Sequence, residues 1–123
     1  MLEIKDVSLS LGDEGNRAEI LKDINFTFDN KKLYVITGPN GGGKSSLAKV
    51  IMGIYKPEKG QVLLDNLDIT DFNITERANL GIGYSFQQPP KFKGIKVREL
   101  LELASGDSND ITGMCKLLQN VGL

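Results

Sequence analysis

Nine residues, Gly38-Pro39-Asn40-Gly41-Gly42-Gly43-Lys44-Ser45-Ser46, restrict the folds open to this chain more than any other stretch. They satisfy the pattern G-x-x-x-x-G-K-[ST]. Before them stands a short run, Leu33-Tyr34-Val35-Ile36, apolar on both faces as a strand in the middle of a sheet would be. After them, Leu47, Val50 and Ile51 recur at helical spacing between Lys44 and Met52, and Gly53 stands where a helix commonly ends in a left-handed residue. A glycine loop between a buried strand and a helix N-terminus can cradle phosphate. Small residues let successive backbone N–H groups turn inward around an anion. The helix adds its own unpaired N–H groups and the positive end of its dipole. Lys44 would supply a full charge to the β- and γ-phosphates of a nucleotide, Ser45 a hydroxyl to Mg²⁺, and Ser46 a further donor to a phosphate oxygen.

The remaining periodicities set this loop in an α/β chain. Leu2, Ile4, Val7, Leu9 and Leu11 show mostly two-residue alternation, and Ile24, Phe26 and Phe28 repeat it after the polar segment GDEGNRAE, which reads as two half-buried strands joined by a loop. QVLLDNLDIT reads as a short hairpin with Asp65-Asn66 at its tip, because Asn and Asp tolerate positive φ. Residues 71–80 read as a loop and a short helix. GIGYSF reads as another buried strand, which Gln87-Gln88-Pro89-Pro90 must interrupt because proline cannot donate to a ladder. KVRELLELA and ITGMCKLLQNV both have helical spacing, separated by the loop SGDSND.

Bulk composition narrows the function classes. With 40% hydrophobic and 25% charged residues the chain is of globular type. Fifteen Lys and Arg against 16 Asp and Glu leave a net charge of −1, so there is no bulk electrostatic case for nucleic acid, and any anion site must be local. The single cysteine, Cys115, excludes an internal disulfide framework and reads as a small apolar residue on a helix in a reducing compartment. The absence of histidine removes the commonest general base and metal ligand. No run approaches the length of a membrane span, and the N-terminus alternates and carries charge where a signal peptide would be continuously apolar. The expected location is cytoplasmic.

Taken in order, LEIKDVSLSL, ILKDINFTF, GPNGGGKSS, GIYKPEKGQVLLDNLDIT and IGYSFQQPP resemble successive segments of the ATP-binding domain of the ABC (ATP-binding cassette) family, over essentially the whole chain. The resemblance implies a phosphate-loop NTPase core with an N-terminal antiparallel β subdomain, and ATP with Mg²⁺ as cofactors. It aligns Gln87 with the family's glutamine that contacts Mg²⁺ and the attacking water and senses the partner subunit. A neutral amide suits that task, since it can accept from water and face a cation without a costly buried charge. The family usually stacks adenine on an aromatic residue near the end of the first strand. Here the matching position is Leu11, so base binding is expected to be weaker or differently arranged.

A larger departure concerns the family's second half. Its signature LSGGQ, the apolar strand ending in Asp-Glu and the switch histidine have no counterpart in these residues. The expectation is that residues 1–123 form the N-terminal half of a single nucleotide-binding domain: the β subdomain and phosphate loop, on through Gln87 to the start of the helical subdomain, truncated before the signature. Run 33–36 would then lack its sheet neighbours, leaving unpaired edges and exposed apolar surface. The implied partners are the C-terminal half of the same cassette, a second ABC ATPase subunit, and either a membrane permease or a soluble iron-sulfur scaffold protein. QQPP followed by FKGIKVRELL is also similar to soluble cassettes of the iron-sulfur assembly (Suf) type. With a permease partner the chain would sit peripherally at the inner face of the membrane.

Overall fold

Alternation in the first 28 residues produces a long antiparallel pair, β1 (Leu2–Leu11) and β2 (Ala18–Phe28). The buried side chains of β1 change parity along the strand, from Ile4 to Val7 and Leu9. The cause is a bulge, where Asp6 and Asp23 take positive φ of 50° and 43° and the register slips between Ile4 and Val7. Asn25 pins it: its amide donates to Asp6 Oδ1 at 2.7 Å, and the Asp6 N–H donates to Asn25 Oδ1 at 3.0 Å. The sequence records the bulge as the break in alternation between Ile4 and Val7.

The structure, a computed structural model, describes residues 1–106 and 110–122. The chain divides into two compact units, Met1–Tyr84 and Ser85–Leu123. In the first unit β1 and β2 continue through helix α1 (Lys44–Met52), β3 (Lys59–Leu64), β4 (Leu67–Asp68) and helix α2 (Ile74–Asn79). The sheet has the order β2-β1-β3-β4, antiparallel throughout. Asp65 and Asn66 make the β3–β4 turn with φ of 48° and 68°, the left-handed pair expected at that tip. Ile4, Val7, Leu9, Leu21 and Val62 from the sheet close on Leu47 and Val50 of α1 and on Ile69, forming the core. A Leu or Ile removed from water there contributes roughly 1.5–3 kcal/mol.

Neither apolar run expected to form a central strand does so. Residues 33–36 and 81–86 join no ladder. Leu33 is 93% and Val35 78% exposed, where burial on both faces was expected. The reason is physical: an apolar run becomes a strand only with ladder partners, and among the described residues these runs find none, although Tyr34 meets Phe26 and Phe28 and Ile82 packs against the core.

The second unit carries α3 (Val97–Ser105) and α4 (Ile111–Asn120). Glu99 accepts from the Lys96 N–H and Asp110 from the Gly113 N–H, both at 2.8 Å, satisfying N-terminal groups of the two helices. Val97, Leu101, Ile111, Met114 and Leu118 line an apolar groove of this hairpin. Cys115 is on α4, as expected, and is exposed. Of the expected loop at 105–110, residues 107–109 lie outside the described residues.

Candidate functional site

The glycine loop is built against the start of β2. Gly43 is buried and caps α1 with φ 81°, a conformation costly for residues with a Cβ. A Cβ there would lie 2.9 Å from both the Ile20 carbonyl oxygen and Leu21 Cδ2, so glycine is required by space as well as by angle. Upstream, the Gly42 N–H donates to the Pro39 carbonyl at 3.1 Å and closes the turn. The first helical bond follows, from the Leu47 N–H to the Gly43 carbonyl at 2.8 Å. First-turn N–H groups have no acceptor within their own helix. Here α1 offers them neither a side-chain cap nor an acidic residue in the first turn. The local field at this end is therefore positive.

Lys44 folds back over the loop, and its ammonium donates to the Gly38 carbonyl at 2.7 Å and the Pro39 carbonyl at 2.6 Å. Two of its three N–H donors are thereby directed, and the charge is held at the loop's mouth. Ser45 is exposed on the same first turn, and Ser46 is half-buried. Residues 38–46, all expected at one site, are thus gathered at one helix end. No cluster of three or more Cys, Asp or Glu side chains that could hold a metal occurs among the described residues.

Leu11 ends β1 opposite Ala18, half-buried and packed against the core. The adjoining loop is held by Arg17 to Glu58 at 2.7 Å and by the Ser10 hydroxyl to Glu58 at 3.0 Å. Phe26, Phe28 and Tyr34 meet edge-to-face, with ring centroids 4.7–5.6 Å apart, further along β2. Gln87 belongs to the second unit and is exposed.

One buried residue escaped sequence reasoning. Arg77 of α2 is 1% exposed and reaches the C-terminal end of α1. Its NH1 donates to the Val50 and Ile51 carbonyls at 2.7 Å each, NH2 to the Thr70 carbonyl at 2.9 Å and Nε to the Phe72 carbonyl at 3.0 Å. Burial pulls its pKa below the ordinary guanidinium value, and the Asp68 carboxylate opposes that shift. The one sequence signal nearby is the capping box of α2, Asn73 with Glu76, which places a helix start there but says nothing of what Arg77 touches.

The profile of the ABC transporter family matches residues 21–123. An uncharacterised ABC transporter ATP-binding protein of Methanocaldococcus jannaschii is 45% identical over 109 residues, covering 87% of this chain and 42% of that protein. A probable ABC transporter ATP-binding protein of Streptococcus pyogenes is 41% identical over 106 residues, covering 85% of this chain and 40% of its own length. The chain thus spans less than half the length of these relatives. Among solved structures, a dimeric bacterial ABC transporter cassette superposes with a TM-score of 0.74 at 28% identity, covering 84% of this chain and 46% of that one. The same cassette in a post-hydrolysis state bound to ADP and phosphate gives 0.73 at 28% identity over the same shares.

Proposed function

Since the chain belongs to the ABC transporter family, we propose that it is the ATP-binding portion of an ABC-type ATPase, with residues 38–46 as the cradle of the nucleotide's phosphates. The observation that carries this reading is the seating of Gly43 on β2, which sets the start of α1 directly behind a loop closed over by Lys44. On binding, Lys44 would exchange the Gly38 and Pro39 carbonyls for β- and γ-phosphate oxygens, while the loop N–H groups and the helix dipole take the remaining charge. Mg²⁺, when bound with the nucleotide, supplies charge neutralisation between phosphate oxygens. Ser45 would give it one hydroxyl ligand, and Gln87 would contact it and orient the attacking water in the assembled cassette. In-line attack on the γ-phosphate would then be stabilised by groups already in place.

These 123 residues contain no histidine and no equivalent of the family's signature or Asp-Glu pair. The chain by itself is therefore read as binding nucleotide without turning it over, and hydrolysis is assigned to the cassette completed by its C-terminal half and a second ATPase subunit. The complete cassette would couple hydrolysis to transport through a permease. The alternative is a soluble iron-sulfur scaffold partner, for which the supporting observation is the QQPP and FKGIKVRELL similarity. Affinity capture with the second unit as bait separates the two. The cradle itself is tested by Lys44→Ala. Titration with Mg²⁺-ATP should show at least about a tenfold loss of affinity, since a charge-assisted contact contributes about 1.5–3 kcal/mol, with the melting temperature little changed. Unchanged affinity would remove the assignment.

A further inference from the structure

The helix that opens at the cradle closes on a buried cation. Arg77 is the largest fully buried side chain among the described residues, and nothing in the proposed binding chemistry uses it. A guanidinium is a costly way to fill space, because an apolar side chain of similar volume does so without the desolvation penalty. What the planar fork can do is join carbonyls of separate segments in fixed geometry. Arg77 joins Val50 and Ile51 at the end of α1 to Thr70 and Phe72 after the β3–β4 hairpin. Gly53 makes room for it: a Cβ there would lie 2.9 Å from Arg77 Nε.

The main chain of Arg77 has a second attachment. Its carbonyl accepts from the N–H of Leu80 at 3.2 Å and of Ile82 at 3.1 Å. Ile82 packs against the core and begins the segment that leads toward Gln87. Meanwhile α1 has only nine residues and buries only Leu47 and Val50. A helix that short has little intrinsic persistence, so its direction depends on how its ends are held. One end rests on β2 through Gly43, and the other is gripped by Arg77.

Resting on the nucleotide-binding reading above, we propose that Arg77 is a positioning residue for the phosphate loop. Its guanidinium fixes the C-terminal end of α1, and with it the aim of the loop's N–H groups, while its main-chain carbonyl, in α2, holds Ile82 at the start of the segment carrying Gln87. A change at the cradle is thereby transmitted to residue 82 through one residue, its side chain on α1 and its main chain on Ile82.

The test compares Arg77→Met, which keeps volume without donors, Arg77→Lys, which keeps charge without the fork, and Ile4→Ala, a core substitution outside the site. Temperatures are chosen so that each variant sits equally far below its own melting point. Amide hydrogen exchange is followed at Leu47 and Ile82 without nucleotide, and Mg²⁺-ATP affinity is measured by titration. Arg77→Met should exchange at both amides at least about tenfold faster than Ile4→Ala and bind Mg²⁺-ATP at least about tenfold more weakly, with Arg77→Lys between them. Exchange and affinity indistinguishable from Ile4→Ala would overturn the proposal by reducing Arg77 to general stability. If Arg77→Met does not fold, Arg77→Lys decides by the same criteria. A wild-type chain that binds no Mg²⁺-ATP would remove the nucleotide-binding reading, while the exchange comparison would still decide the linkage.

Discussion

Gly43 and Arg77 sit near opposite ends of one helix and differ in how far the sequence reveals them. Gly43 announces itself, because a glycine before Lys-Ser in this pattern has a mechanical meaning. What the pattern does not contain is its seat, the Ile20 carbonyl and the Leu21 side chain. That contact makes Gly43→Ala a severe change. A left-handed conformation costs about 1–2 kcal/mol for a residue with a Cβ, and overpacking against a backbone carbonyl adds about 1–3 kcal/mol. Urea unfolding of Gly43→Ala should therefore show about 2–5 kcal/mol lost, the sum of these two effects. A loss below about 1 kcal/mol would mean that the loop does not rest on β2. Arg77 is one of 15 Lys and Arg residues, and its two partners on α1 stand 26 and 27 positions earlier. No local pattern encodes a contact at that separation.

At the level of elements, periodicity was a faithful guide wherever an element could complete itself with near neighbours. Helix α1, the β3–β4 hairpin, the short α2 and the two helices of the second unit all lie where spacing and turn chemistry place them. The hairpin has a polar lock besides its turn. The Thr70 hydroxyl and N–H both donate to Asp68 Oδ1, and the same hydroxyl accepts from the Val62 N–H at 2.9 Å. The side-chain hydrogen bond from Thr70, with its backbone N–H next, holds the Asp68 carboxyl below the usual carboxylate value. A lowered folded-state pKa contributes stability above the unfolded-state value, and that contribution is lost as pH falls through the folded one. Asp68→Asn should accordingly melt lower than wild type near neutrality, the gap narrowing as the medium is acidified past the ordinary carboxylate range. Melting curves offset by the same amount at every pH would show that the carboxylate's charge contributes nothing.

For the whole molecule, the exposed apolar surface is the dominant fact. Val35 and Ile36, with Phe26 and Phe28, line a groove over Leu47 that nothing among the described residues covers, and Leu33 is exposed as well. Such a patch, beside runs that lack ladder partners, favours association. Light scattering on the purified chain should show oligomers or aggregates, and co-expression with the C-terminal half of a related cassette should return a discrete species. A monodisperse monomer with a single cooperative melt would contradict this. The amino-acid sequence determined by itself the phosphate-loop pattern, the helices, the hairpin and the parity break in β1, because each is written in residues close along the chain. Only the tertiary structure decided that runs 33–36 and 81–86 are not strands, that Gly43 rests on β2, and that Arg77 closes the helix opening at the cradle. Strand pairing, close approach and burial of a charge all depend on groups distant in sequence, and a chain's local pattern holds no information about whether those groups arrive.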